Sequence, residues 1–328
     1  MPRTTPAEGK EDQKNPRGRK AGSPVSIGLA LGSGAARGWA HIGVIQELEA
    51  MGIRPTVVAG TSVGALVGAV YASGKLPELA AWVAKLRWDA LLRYGDLGLK
   101  GGGLFSGKKL LRALSPFLSS TPIEDLPITL AAVATELHTG REVWLRTGSL
   151  YDTVRASISI PGLFTPMSEG TSWLVDGGLV NPVPISLCRA LGAHQVIAVN
   201  LNGDQIGRRL SILSHELQVK DNSAREAVIR RALRFLPGMK EAAGKMADGM
   251  FGSDHQSPGL VNTMITSLNI MQDRITRSRI AGDPPEVLLS PRLADIGLLE
   301  FDRAEDAMAE GRAVVQRMRP ALQDALGL

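Results

Sequence analysis

The sequence has little cysteine, few aromatic residues and no strong excess of charge. Of its 328 residues one is cysteine, 4% are aromatic, and the formal net charge is +5. A single cysteine excludes a disulfide within the chain and favours a reducing compartment. Because no basic run is interleaved with aromatic residues, we expect no nucleic-acid-binding surface. The small positive charge is compatible with peripheral contact to an anionic membrane.

A secretory signal and a membrane span are not expected. The basic residues among the first 24 positions are not followed by an apolar segment, which predicts a cytoplasmic protein, in solution or peripheral to the inner face of the membrane. The uncharged stretch 55–74 is long enough to span a bilayer. It begins with Pro55 and β-branched residues and then places Gly60, Thr61 and Ser62 together, which favours a strand, a sharp turn and a helix instead.

Hydrophobic patterning divides the chain into four parts. Residues 1–24 predict a disordered basic tail. Residues 25–203 alternate apolar runs with amphipathic segments, which predicts an α/β catalytic domain whose sheet is covered on both faces. The charged segment 204–256 predicts a partly mobile helical insertion or lid. Residues 257–328 predict C-terminal helices and a short strand packed on the core, with one final helix from about Phe301 to Leu326.

The motif GTSVG at residues 60–64 is the first candidate for chemistry. It follows a β-branched apolar run and precedes a helix of small residues. In that context a serine between Gly60 and Gly64 is held on a tight turn, with its oxygen exposed at the end of a strand. Ser62 is therefore the candidate nucleophile.

The glycine-rich segment GSGAARG at residues 32–38 also follows a predicted strand. A dinucleotide-binding motif would need a third glycine where this chain has Arg37, so that alternative is not favoured. A turn of this kind before a helix presents free backbone amides, which can stabilise the oxyanion of an acyl-transfer intermediate. Arg37 is expected to add positive charge or to brace the loop, with a surface ion pair as the alternative.

The third candidate is Asp176, in LVDGGLVNPVP. Asp-Gly turns are common, but this one is flanked by apolar residues on both sides. The carboxylate is therefore expected to be partly desolvated, which would raise its pKa and make it a better base. Gly177 and Gly178 form the turn that follows it.

Together, the runs LALGSGAARGWAHIGVIQELEAMGI, VVAGTSVGALVGAVYASG, SISIPGLFTP and WLVDGGLVNPVPI resemble the patatin-like phospholipase family, most closely its bacterial RssA-type branch. The resemblance spans about residues 25–201. It implies a three-layer α/β/α fold with a central, mostly parallel sheet, and a Ser-Asp dyad without a catalytic histidine. By position, it implies Ser62 as nucleophile and Asp176 as base. It also implies an oxyanion hole formed by the segment Gly32, Ser33, Gly34 and Ala35, with Arg37 beside it.

The resulting hypothesis is a serine esterase that cleaves lipid acyl esters through an acyl-enzyme, as a phospholipase A or lysophospholipase does. We expect no cofactor and no metal. Two alternatives stay open. One is a low-turnover lipid sensor or regulatory protein on the same scaffold. The other is a Ser-His-Asp hydrolase that recruits one of the five histidines, which are at positions 41, 138, 194, 215 and 255.

Overall fold

The structure is a computed structural model that describes residues 25–87, 103–105, 107–204 and 260–328. The predicted tail at 1–24 lies outside these residues, as does the predicted insertion at 204–256 apart from its first residue.

Short strands alternate with helices through most of the described chain. The strands are β1 (Ile27–Leu31), β2 (Val57–Thr61), β3 (Gly103–Phe105), β4 (Thr129–Glu136), β5 (Glu142–Leu145), β6 (Gly162–Phe164), β7 (Met167–Glu169), β8 (Ser172–Asp176), β9 (Gln195–Val199) and β10 (Val287–Leu289). The α-helices are α1 (Ala40–Ala50), α2 (Val63–Ala72), α3 (Leu76–Val83), α4 (Lys108–Leu114), α5 (Leu150–Ser157), α6 (Ile185–Ala190), α7 (Leu260–Gly282), α8 (Ala304–Arg317) and α9 (Arg319–Leu326).

The central sheet is mixed and mostly parallel. Its strand order is β10-β9-β1-β2-β4-β8-β7, and β5 pairs with β4 outside this path. The pairs from β10 to β4 are parallel, whereas β8 runs antiparallel to both β4 and β7. A separate two-stranded parallel pair joins β3 to β6.

The two faces of the sheet bury different sets of side chains. Leu29 and Leu31 of β1 belong to the larger core, which includes residues of α1, α2, α3 and α8. Ala30 points to the other face, where Ile185 and Cys188 of α6 are buried. This alternation confirms the predicted three-layer α/β/α fold. The burial of Cys188 is also as expected for a small apolar residue.

Stretch 55–74 is divided between two elements, as its glycines and β-branched residues predict. Its first half forms β2 and its second half forms α2, which is buried along its whole length. Among the helices that the structure describes, none is long and apolar enough to cross a membrane.

The expectation of one helix from Phe301 to Leu326 is wrong. The segment forms two helices, α8 and α9, that meet at Met318 and Arg319. Pro320 explains the break, because proline has no amide hydrogen to continue the helical ladder and disfavours helical geometry in the residue before it.

The strand register positions the two candidate site residues. Thr61 of β2 pairs with Val133 of β4, and Asp176 of β8 pairs with Ala134 of β4 from the other side. Residue 62 therefore follows β2 at the level where β8 ends, and β4 lies between them. The end of β2 and the end of β8 converge on one edge of the sheet.

Helices α1 and α8 touch through their backbones. A Cβ atom on Gly43 would lie 1.9 Å from the carbonyl oxygen of Met308, and one on Gly311 would lie 2.1 Å from that of Ala40. These glycines allow α8, from the far end of the chain, to cover the helix that follows the first strand.

We expect Gly43→Ala to lower the free energy of unfolding by about 2 kcal/mol. The added methyl group would meet the backbone of α8, which cannot move aside as a side chain can, so the two helices would be forced apart. Urea denaturation measures this change. The matched control is Gly282→Ala, where a Cβ would meet nothing within 4 Å and the change should be close to neutral. Equal stability of the two variants would contradict the described packing.

Candidate active site

Ser62 occupies a strained turn between β2 and α2. Its φ of 57° is positive, which is unusual for a residue other than glycine. The flanking glycines make the turn possible. A Cβ on Gly60 would lie 2.5 Å from Cα of Ala65, and one on Gly64 would lie 2.1 Å from the carbonyl oxygen of Leu31. The strand-turn-helix arrangement predicted for GTSVG is what the structure contains.

Ser62 and Asp176 are in direct contact. Oγ of Ser62 donates a hydrogen bond to Oδ2 of Asp176 at 2.5 Å. The backbone N–H of Gly178 donates to the other carboxylate oxygen at 2.7 Å. The serine is 4% exposed and the aspartate 2% exposed. Gly177 packs against β4, since a Cβ there would lie 2.2 Å from the carbonyl oxygen of Val133.

Burial raises the pKa of Asp176 to about 6, while the hydrogen bonds from Ser62 and Gly178 act in the opposite direction. The apolar flanks of this residue predicted the direction of the shift. At neutral pH the carboxylate is mostly ionised, yet it holds a proton far better than an ordinary aspartate does.

A brace of hydrogen bonds also joins the turn at Ser62 to the segment after Asp176. Oγ1 of Thr61 donates to the carbonyl oxygen of Asn181 at 2.8 Å, and Nδ2 of Asn181 donates to Glu142 at 2.7 Å. Glu142 forms an ion pair with Arg279 of α7 at 2.7 Å. Helix α7 is thereby tied to both halves of the Ser62–Asp176 pair.

The loop from Gly32 to Ala35 lines the same cavity, but its four amides are not equivalent. The N–H of Gly32 donates to Val199 O at 3.1 Å and that of Ser33 to Pro182 O at 2.9 Å. The amides of Gly34 and Ala35 have no acceptor among the described residues. The oxyanion hole expected in this segment stays a prediction, and these contacts narrow its donors to the amides of Gly34 and Ala35. Gly32 and Ser33 are already engaged, and two amides remain available.

The two remaining amides sit where the chain turns sharply. Ala35 has a φ of 49°, in the left-handed region that favours glycine. This conformation costs about 1 kcal/mol for a residue with a side chain. Ala35 begins the short 3-10 helix Ala35–Trp39, whose first N–H has no partner within the helix.

Arg37 supports the glycine-rich loop through buried hydrogen bonds. Its side chain is buried, with Nε donating to the carbonyl oxygen of Ile296 at 2.8 Å and Nη1 to Oδ1 of Asn202 at 3.4 Å. Asn202 in turn donates to the carbonyl oxygen of Ser33 at 3.4 Å. The burial of Arg37 does not fit an ion pair at the surface, and its hydrogen bonds favour the bracing of the loop.

A cavity of about 240 Å³ joins these groups. Ser33, Gly34, Ala35, Ser62 and Asp176 lie on its wall. Most of the remaining wall is hydrocarbon, contributed by Trp39, Val63, Leu66, Trp82, Leu86, Leu110, Leu114, Ile158, Ile160, Pro161, Leu163, Phe164, Leu179, Leu268, Leu298, Leu299 and Phe301. Leu104 and Phe105 lie on β3, and their side chains are outside the described residues. Their strand β3 pairs with β6, which carries Leu163 and Phe164.

Two further residues of this wall were not identified from the sequence. Asn269 and Gln272 of α7 both line the cavity. Oε1 of Gln272 accepts a hydrogen bond from Oγ of Ser33 at 2.9 Å. A Cβ on Gly178 would lie 2.4 Å from Nε2 of Gln272, so this side chain bridges the loop and the turn after Asp176. The apolar pattern of α7 predicts a packed helix, but it does not indicate which surface the helix covers.

None of the described histidines is hydrogen-bonded to Ser62 or Asp176. Nε2 of His41 is 2.8 Å from the carbonyl oxygen of Gly32, and burial lowers the pKa of His41 to about 4. His138 is exposed, and His194 is hydrogen-bonded to the backbone of Ser26. His215 and His255 lie outside the described residues. Within the part of the chain that the structure describes, no three His, Cys, Asp or Glu residues are grouped as metal ligands.

The chain is similar to a described family and to several known proteins. The family model described as patatin-like phospholipase matches residues 29–189. An uncharacterized NTE family protein of Mycobacterium tuberculosis is 34% identical over 94% of this chain and 94% of its own length. A second one from that organism is 30% identical over 91% of this chain and 46% of its own length. The protein named Lysophospholipase NTE1 of Mycosarcoma maydis is 35% identical over 54% of this chain and 10% of its own length.

We expect Asp176→Asn to be more stable than the wild type at pH 7, by about 2 to 3 kcal/mol. The pKa of Asp176 is about 6 in the folded protein, against an ordinary value of 3.8 for an aspartate. The folded protein therefore binds this proton more tightly than the unfolded chain does. The free energy of unfolding of the wild type falls as the pH rises from about 4 through 6. Urea denaturation of both proteins between pH 4 and 8 measures the difference.

The matched control is Asp324→Asn, which replaces an exposed carboxylate and should leave the pH dependence of unfolding unchanged. A difference between Asp176→Asn and wild type that is absent at pH 7, or that stays constant down to pH 4, would contradict the described desolvation of Asp176.

Proposed function

Because the chain belongs to the patatin-like phospholipase family, we propose that it hydrolyses lipid acyl esters with Ser62 as nucleophile and Asp176 as base. The observation that carries this proposal is the 2.5 Å hydrogen bond between the two side chains inside an apolar cavity. The placement of this chain in the RssA-type branch stays a prediction.

In the acylation step, Asp176 accepts the proton of Ser62 as Oγ attacks the ester carbonyl carbon. The carbonyl oxygen gains negative charge and is stabilised by the amides of Gly34 and Ala35. The carbon–oxygen bond to the alcohol then breaks, and the alcohol leaves with the proton held by Asp176. An acyl ester on Ser62 remains.

The deacylation step reverses the roles of the groups. Asp176 accepts a proton from a water molecule as that water attacks the acyl carbon. The bond to Ser62 breaks, Oγ regains the proton, and a fatty acid is released. A single carboxylate serves both steps, so its pKa of about 6 suits it to accept and return a proton near neutral pH.

The direct contact supports a dyad over a Ser-His-Asp triad. In a triad the imidazole lies between the serine and the carboxylate. Here the carboxylate itself accepts the hydroxyl hydrogen bond, and its other oxygen is taken by the amide of Gly178. These contacts leave no position for an imidazole between Ser62 and Asp176.

The cavity lining supports a substrate with an acyl chain. Its wall is mainly aliphatic and aromatic, and its polar groups are concentrated where the ester would be cleaved. An apolar wall with polar groups only near the cleaved ester fits a phospholipase A or lysophospholipase type of reaction. The cytoplasmic location and peripheral membrane contact stay predictions. A lipid sensor with the same cavity would need neither the strained turn at Ser62 nor the short contact with Asp176.

We expect Ser62→Ala and Asp176→Asn each to lower hydrolysis by about 1,000-fold or more, because each removes a group that acts in both steps. The assay is fatty-acid release from a lysophospholipid. Ser168→Ala and Asp324→Asn, at exposed positions, are the matched controls and should retain full activity.

His→Ala changes at all five histidine positions test the triad. Loss of activity on replacing His215 or His255 would contradict the dyad.

The rate should depend on pH through Asp176. We expect kcat/KM for an uncharged ester to fall about tenfold per pH unit below about 6, because only the ionised carboxylate accepts the serine proton. Above that pH the profile should level off. Initial rates from pH 4.5 to 8.5 measure this, and a rate that stays constant from pH 5 to 8 would contradict the role of Asp176.

A further inference from the structure

Ser157, the last residue of α5, is a buried serine that the proposed reaction does not use. It is the first residue of the run SISIPGLFTP and is fully buried. Its Oγ accepts a hydrogen bond from the backbone N–H of Ser62 at 2.9 Å and donates one to the carbonyl oxygen of Val133 at 2.7 Å. The hydroxyl therefore links the candidate nucleophile to β4, the strand that pairs with β2.

The hydrogen bond to Ser157 fixes the peptide group that precedes Ser62. The angle φ of Ser62 describes rotation between this peptide group and Cα, and its value of 57° is unfavourable for a residue with a side chain. A residue keeps such a conformation only where its surroundings hold it there. The next peptide group is also fixed, because the carbonyl oxygen of Ser62 accepts from the amides of Ala65 at 2.9 Å and Leu66 at 3.2 Å. With both peptide groups fixed, the direction of the Ser62 side chain is set.

The segment that starts at Ser157 also contacts the candidate base. The backbone N–H of Asp176 donates to the carbonyl oxygen of Ser159 at 2.9 Å. Two positions of one short segment thus hold the backbones of Ser62 and Asp176, whose side chains meet at 2.5 Å. This alignment matters for the rate, because a displacement of about 1 Å in a reacting group can lower it by about 100-fold.

We propose that Ser157 is a positioning residue that holds Ser62 in the conformation required for attack on the ester. Both of its hydrogen bonds are to backbone groups, so it acts through the geometry of Ser62 and transfers no proton in the reaction. The inference rests on the proposed function, because it concerns the reaction of Ser62 and Asp176.

Ser73 provides a matched control at the other end of α2. Its Oγ accepts from the backbone N–H of Ser119 at 2.9 Å and donates to the carbonyl oxygen of Ala69 at 2.7 Å. These are the same two kinds of hydrogen bond, at the same distances, as those of Ser157. Ser73 follows the last residue of α2 and is not among the residues that line the cavity. Ser73→Ala therefore removes an equivalent pair of contacts without touching Ser62.

The test measures kcat and KM for a lysophospholipid in the wild type, Ser157→Ala and Ser73→Ala, with urea denaturation to establish that each protein is folded in the assay. For Ser157→Ala we expect kcat to fall about 10- to 100-fold while KM stays within about twofold, because the backbone of Ser62 loses its support and the apolar wall is unchanged. Ser73→Ala should keep kcat within about twofold of the wild type. Labelling of Ser62 by a fluorophosphonate should slow in Ser157→Ala by a factor similar to that in kcat, since labelling requires attack by Oγ but no bound lipid.

An unchanged kcat in Ser157→Ala, a rise in KM alone, or an equal loss of kcat in Ser157→Ala and Ser73→Ala would overturn the inference. Ser157→Cys keeps a side chain of similar size with a weaker hydrogen-bonding atom, and replaces Ser157→Ala if that variant does not fold. We expect its kcat to fall about threefold or more, and a kcat equal to that of the wild type would overturn the inference as well. Absence of fatty-acid release by the wild type instead contradicts the proposed function itself.

Discussion

The hydrogen bond between Ser62 and Asp176 is the interaction on which the rest of the site depends. Both side chains are removed from water, so the carboxylate is a stronger base than an exposed aspartate and the hydroxyl is its nearest donor. Keeping this pair buried opposes folding at neutral pH, and the positive φ of Ser62 adds strain. The surrounding structure stabilises both features through tightly packed glycines and the brace from Thr61 to Arg279.

Three distant segments meet because of how the sheet is ordered. The loop after β1 and the turn after β2 lie at the carboxyl ends of neighbouring parallel strands, where α/β proteins usually bind ligands. Asp176 comes from β8, which runs antiparallel to β4 and ends opposite Ala134. Helix α7 also lines the cavity, through Leu268, Asn269 and Gln272. The mixed sheet thus brings a carboxylate into direct contact with Ser62, and no histidine that the structure describes connects the two.

The sequence predicts the parts of the site that depend on local backbone geometry. Only small residues fit around Ser62, so Gly60 and Gly64 predict the turn. The apolar residues on both sides of Asp176 predict its raised pKa. The sequence does not tell which amides of the glycine-rich loop are free to act as oxyanion donors. Whether Gly32 and Ser33 have free amides depends on contacts with Val199 and Pro182, more than 100 residues away. Asn269 and Gln272 were missed because helical periodicity does not identify the surface that a helix will cover.

The most direct test of the account is covalent labelling of the proposed nucleophile, Ser62, with a fluorophosphonate, followed by peptide mass spectrometry. The account predicts a single modified residue, Ser62, and a labelling rate that falls by about 100-fold or more in Asp176→Asn at pH 7.5, since the serine then has no base. Labelling of a different serine, or of Ser62 at the same rate in both proteins, would contradict it.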